Sequence, residues 1–368
     1  RARARASCVA RLPGDAGPRR RVAFLTRSTA LSGGNVAMFS AADFLRAEGW
    51  DARVLTMDAR DLDMYDSDAA PVVFDGEPDM RRSFRSDAFS SGVLVSGSYV
   101  TCDAGERGAS DGGVAHVLFE QDDERRFDHN RDEGRRARIE AAWRDGHVIA
   151  GSSWGADAVE EVRRCGKGNP GLPPRPPVCR AGFDPLVWYP RPRQESPRLR
   201  VVSLYRPETP HRGAALLLAA LRIVEQRGAP VDVSLFGSRP PPGLRAEYLG
   251  RIPHHRLSRA VAASDVLVYA SPFQGLGLDA VQALASGVAV VCLANGGCRE
   301  YARDGENSIV LSASSSPVIL ADAICVLAED RTALRSMQER APASVAALSW
   351  PALVPAWDEA LRAILPVG

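Results

Sequence analysis

The chain has one lysine, Lys167, among 46 basic residues, so nearly all of its positive charge is arginine. No apolar run approaches the ~20 residues that would cross a bilayer. The seven cysteines, at 8, 102, 165, 179, 292, 298 and 325, are odd in number and scattered, with no Cys-x-x-Cys pair. That spacing argues against a disulfide framework and for a reducing, cytoplasmic setting. The six histidines show no metal-ligand spacing either. His254-His255 sits in a polar stretch, adjacency suits one metal ion poorly, and a surface loop is expected there. The net charge is only +1, and residues 1–21, with seven arginines and one aspartate, hold +6 of it, leaving the remainder at −5. A mildly acidic body excludes nucleic acid as the expected partner. The RARARA start lacks an apolar core segment, so no secretory signal is expected. Residues 1–20 read as a solvated, disordered basic tail, with peripheral contact to an anionic membrane or a lipid acceptor as the alternative. The arginine- and alanine-rich composition points toward a high-GC bacterial source.

What is present is an ordinary globular composition, 45% hydrophobic and 25% charged, over 368 residues. That length suits two domains. The most informative stretch is 264–311. VLVYA (266–270) and VAVVCL (288–293) are short β-branched runs of the kind found in parallel sheets buried on both faces. Between them come a loop with Gly275 and Gly277, and then Leu278, Val281 and Leu284 at helical spacing, stopped by Gly287. A strand feeding a glycine loop that opens a helix is a usual cradle for a phosphate, because free amides at the helix start face the anion.

This stretch resembles the sugar-nucleotide site of retaining glycosyltransferases of the GT-B fold, family 4 (glycosyl transferases group 1). The usual pattern there is a serine, a glutamate, Gly-Phe-Gly-Leu, a second glutamate eight residues after the first, a Gly-Gly loop and Glu-Tyr. The chain has Ser271, Gln274, Gly275-Leu276-Gly277-Leu278, Gln282, Gly287, Gly296-Gly297 and Glu300-Tyr301, followed by Asp304-Gly305-Glu306-Asn307. Both glutamate positions are glutamine, which keeps the reach and loses the charge.

The rest of the chain fits the same pattern more loosely. VAFLT (22–26), a turn with Gly33-Gly34, a helix over 35–50 and ARVLTM (52–57) make a βαβ unit. It lacks the Gly-x-Gly-x-x-Gly of a dinucleotide site. Strands are expected in 92–100 and at the start of 116–127, and a strand, serine cap and helix over 147–162. Residues 168–192 are rich in proline and glycine and resemble the family's interdomain hinge. RVVSLY (200–205), a helix over 213–228 and VDVSLFG (231–237) open the second domain. The amphipathic end, 349–365, resembles the last helix of the family, which crosses back to the first domain, with Trp350 and Trp357 as packing residues. The expected fold is therefore α/β, GT-B, with two Rossmann-like domains whose parallel sheets face across a cleft. Its parts are the basic tail 1–20, an acceptor-side domain 21–190, a nucleotide-sugar domain 191–345 and the crossover helix 346–368.

The resemblance also implies roles. Arg206 and Arg212 stand where the family carries diphosphate-binding cations, which stabilise a leaving group of about two negative charges. Gln274 would contact the sugar and Gln282 the ribose. Backbone amides of Gly33, Gly34 and of Gly275, Leu276, Gly277 and Leu278 would complete the diphosphate site. The charged cluster after residue 119 resembles the Gln-Asp-Tyr-Glu motif of rhamnosyltransferase-like members, with Asp123 at the tyrosine position. Glu120, Asp122 and Glu124 are its candidate site carboxylates. The donor would be a nucleoside diphosphate-sugar and the acceptor a hydroxyl, with no further cofactor. Asp61-Leu-Asp63 and Asp66-Ser-Asp68 mimic a metal-binding Asp-x-Asp but read as surface loop, so no metal is expected. The alternative is a catalytically inactive homologue acting as a binding or auxiliary protein. An epimerase or phosphorylase of this fold is a further rival, and phosphorylases need a lysine for pyridoxal phosphate, which Lys167 in a Gly/Pro loop suits poorly.

Overall fold

The computed structural model describes residues 20–85, 92–166 and 168–365. The expected basic tail, apart from Arg20, and Lys167 lie outside the described residues.

The β-branched runs form two six-stranded sheets. In the first, β1 (Arg21–Thr26), β2 (Asp51–Thr56), β3 (Val72–Val73), β4 (Gly92–Ser96), β5 (Ala115–Glu120) and β6 (Val148–Ala150) lie in the order β3-β2-β1-β4-β5-β6. In the second, β7 (Leu199–Tyr205), β8 (Val231–Gly237), β9 (Glu247–Gly250), β10 (Val266–Tyr269), β11 (Ala289–Leu293) and β12 (Ser308–Leu311) lie in the order β12-β11-β10-β7-β8-β9. All neighbouring pairs are parallel. Every residue of β4, β10 and β11 is buried. Helices cover both faces of such sheets, which is why these strands are continuous apolar runs rather than alternating ones.

The first domain carries α1 (Gly33–Ala47), α2 (Gly76–Phe84), α3 (Tyr99–Gly112), α4 (Glu133–Asp145) and α5 (Ser153–Cys165). The second carries α6 (Ala214–Gln226), α7 (His254–Ala262), α8 (Leu278–Ala285), α9 (Pro317–Glu329) and α10 (Arg331–Ser344). One boundary differs from expectation. Ser32 is extended and its hydroxyl accepts from the Asn35 amide at 3.2 Å, so α1 starts at Gly33 and ends at Ala47. Gly33 and Gly34 are therefore the first helical turn rather than a separate bend. Ser152 caps α5 in the same way, as its place before the helix predicts.

The last helix, α11 (Trp350–Ile364), crosses back onto α1 as expected. Trp357 is fully buried, meets Phe24 and Phe119 edge-on, and donates its indole N–H to the Arg180 carbonyl at 2.9 Å. Trp350 is also buried and lies over Phe44. One apolar core runs from Phe24 and Phe119 through Trp357 and Trp188 to Leu284 and Val290. The two sheets thus share a seam, and the carboxyl ends of their strands look into a common cleft, the usual place for a ligand in such sheets.

Candidate functional site

The cleft holds a cavity of about 400 Å³, lined by the loops that leave the two sheets. That is large enough for a drug-sized ligand. The loop after β7 places two arginines in it. Arg206 reaches across to the Leu31 carbonyl at 3.4 Å. Burial and the neighbouring Arg212 charge both hold its guanidinium below the ordinary pKa. A buried guanidinium beside a second cation makes the cleft attractive to an anion.

Arg212 is set by its neighbour. Gly213 has φ 70°, and a Cβ there would sit 1.9 Å from the Ala270 carbonyl oxygen. Only glycine lets the chain turn this closely into α6. The turn delivers Arg212 Nη1 to Gln274 Oε1 at 2.6 Å and to the Tyr269 hydroxyl at 3.2 Å. Its Nε is buried and has no partner among the described residues.

Two helix starts converge on the same space. Gly33 and Gly34 open α1 with no acidic residue in the first turn. Gly277, at φ 90°, opens α8 at Leu278, and all three of Leu276, Gly277 and Leu278 line the cavity. Amides at such ends are unpaired within the helix and point at an anion. Gly275 does something else. A Cβ on it would lie 1.9 Å from the Gln121 carbonyl oxygen, so it lets the second domain close against the first.

The carboxylates separate into three environments. Asp122 lines the cleft, accepts from Gln274 Nε2 at 2.8 Å, and is pushed up to about 6 by burial, with Arg212 pulling the other way. Glu124 also lines the cleft, accepts from the Tyr99 amide at 2.9 Å, and is pushed up to about 7 by burial. Glu120 lies behind the cleft wall against Gly155, and neither carboxyl oxygen has a hydrogen-bond partner among the described residues. Asp123 turns away to pair with Arg125 at 2.8 Å and Arg126 at 3.3 Å.

Gln282 lines the cleft beside His254, their Nε2 atoms 3.1 Å apart. This corrects the surface-loop expectation for His254-His255. His254 starts α7 and meets the Trp188 ring edge-on at 5.0 Å. The paired aspartates are likewise more than surface loop. Asp61 pairs with Arg251 and Asp66 with His255 at 3.2 Å, both across the domains. Sequence reasoning also missed Arg251 and the stacked rings of Phe127 and His211, 4.4 Å apart across the cleft mouth. His211 precedes Arg212, and that adjacency was the available signal.

Residues 198–330 match the family described as Glycosyl transferases group 1. The matched stretch runs from the start of the second sheet to α9. A D-inositol 3-phosphate glycosyltransferase of Nocardia farcinica (strain IFM 10152) is 34% identical over 106 residues, 29% of this chain and 23% of that protein's length. The chain thus matches less than a quarter of that curated relative. Around that stretch the whole fold is shared with solved structures. Sucrose-phosphate synthase from Thermosynechococcus elongatus superposes with TM-score 0.74 at 17% identity, covering 94% of this chain and 99% of that one. Anabaena HepE in complex with UDP-glucose superposes with TM-score 0.74 at 16% identity, covering 93% and 99%. At these identities the likeness establishes the fold, which is GT-B.

Proposed function

We propose that this protein is a glycosyltransferase that moves a sugar from a nucleoside diphosphate-sugar to an acceptor hydroxyl with retention of configuration, as a family 4 member of hexosyltransferase type. The observation that carries the reading is the pair Arg206 and Arg212 facing the starts of α1 and α8 in one cleft. Two guanidinium groups and two sets of free amides form a receptor for a diphosphate, and they stabilise charge as it develops on the leaving group. The UDP-glucose complex of HepE supports a nucleotide-sugar as the ligand class. In this reading Gln282 holds the ribose, Gln274 lies at the sugar, and the loop of Asp122 and Glu124 orients the sugar or the acceptor hydroxyl. Residues 21–190 form the acceptor-side domain and 191–345 the donor-side domain, with residues 346–368 closing back. The donor's own phosphate serves as base, so no resident metal or cofactor is needed. The acceptor is a glycan, a lipid-linked glycan or a natural product, and the setting is cytoplasmic.

Calorimetric titration with UDP, GDP, ADP and their sugars tests the reading. One nucleoside diphosphate should bind, and R212A should weaken it about 10- to 100-fold, the value of charge-assisted hydrogen bonds lost at one site. A folded chain that binds none of them, or an R212A variant that binds as wild type, refutes it.

A further inference from the structure

Asp122 and Gln274 meet across the cleft from opposite domains. Gln274 Nε2 donates to Asp122 Oδ2 at 2.8 Å, while its Oε1 accepts from Arg212 Nη1 at 2.6 Å. The two ends of an amide are not interchangeable. Only the nitrogen can face a carboxylate and only the oxygen a guanidinium, so Gln274 is held in one orientation. Asp122 Oδ1 also accepts from the Asp123 amide at 3.0 Å, and the Gly275 amide supplies another donor from the second domain. A carboxylate offers about four lone-pair directions. Three are taken by the protein, and Asp122 lines the cavity.

Resting on the donor-site reading above, we propose that Asp122 selects the transferred sugar by accepting a hydrogen bond from one of its hydroxyls, and that Gln274 is the positioning residue that joins Asp122 to Arg212. The remaining acceptor direction of Asp122 is the one a ligand hydroxyl can use. Burial raises its pKa, and its charge is held there by the nearby Arg212 cation and by the Gly275 and Asp123 amides. A carboxyl kept there at a cost to stability is explained by recognition better than by packing. The glutamine at 274 follows from the same geometry. A glutamate there would set two carboxylates at hydrogen-bond distance, and one would have to take up a proton. Sugar recognition is then completed only when the two domains meet, because acceptor and positioning group come from opposite sides.

The test uses the full chain and the variants D122N, Q274E and D122N/Q274E. UDP and GDP are titrated, each with its hexose conjugates, and unfolding is followed without ligand from about pH 5 to 8. D122N should weaken the hexose conjugate about tenfold or more beyond any loss it causes for the free nucleoside diphosphate. Q274E should lower the unfolding midpoint at neutral pH and recover on acidification, and the double variant should recover the midpoint at neutral pH. Equal losses for nucleotide and conjugate in D122N overturn the assignment of Asp122 while leaving the donor site standing. A pH-independent Q274E midpoint equal to wild type overturns the positioning role. A wild-type chain that binds no nucleotide overturns the donor site and the assignment together.

Discussion

His254 turns its Nε2 toward the Nε2 of Gln282, 3.1 Å away. The amide nitrogen can only donate, so the imidazole nitrogen accepts and the ring proton sits on Nδ1. Burial holds His254 below its ordinary pKa of 6.5. The unfolded chain therefore binds a proton more readily than the folded one. Stability from this residue is complete above about pH 6.5 and is lost as pH falls below it. H254A should cost about 1–3 kcal/mol by leaving the Gln282 amide unpaired and removing the edge contact to Trp188. Urea unfolding of both proteins at neutral and mildly acidic pH checks this, and the gap between them should narrow in acid.

Gly275 predicts a different phenotype. In G275A the new methyl group meets the backbone oxygen of Gln121, which cannot swing aside. The domains must separate to admit it. Affinity for a nucleotide-sugar should fall about tenfold or more, equal to about 1.4 kcal/mol. Calorimetry would report the loss, and small-angle scattering should show a larger radius of gyration.

Trp357 anchors the crossover helix with two edge-on ring contacts and one indole hydrogen bond. W357A should destabilise the chain by about 3–5 kcal/mol through the cavity it leaves. W357F, which keeps most of the volume, should cost less. Denaturant midpoints of the two variants decide the order.

Glu120 is buried without a hydrogen-bond partner among the described residues, and burial raises its carboxyl well above the ordinary value. The folded state then holds a proton that the unfolded state releases. Stability falls as pH rises from the ordinary glutamate value of 4.5 through the folded pKa. E120Q removes that ionisation and should be more stable than wild type at neutral pH, with the difference growing as pH increases. Thermal unfolding across neutral and alkaline pH measures it, and a variant less stable than wild type at every pH would refute it.

The second sheet was legible in the sequence because its central strands are uninterrupted apolar runs bounded by glycine. Arg206, Arg212, Gln274 and Gln282 were singled out through the family resemblance of the stretches around them, and all four line the cleft. Glu120 and Asp122 were harder to separate. They are two residues apart in a charged cluster, and only the end of β5 decides that one lies behind the wall and the other on it. His254 was not legible, because its environment is made by Trp188 from the stretch between the domains and Gln282 from α8. The same holds for Asp61 and Asp66, whose partners Arg251 and His255 lie on the other domain. Local pattern carries strands, turns and caps, whereas pairing across a cleft depends on how two sheets are hung together.

The crossover helix has a consequence for how the molecule is made. The groove beside α1, with Phe44 and Trp50, is covered by residues of α11, among them Trp350 and Asp358, whose carboxylate accepts a hydrogen bond from the Trp50 indole N–H at 2.8 Å. During synthesis the first domain emerges early. Its apolar flank stays bare until the ribosome has delivered the whole second domain and α11 behind it. Completion of the first domain thus waits on the delivery of α11, and a product that stops before α11 leaves that flank uncovered.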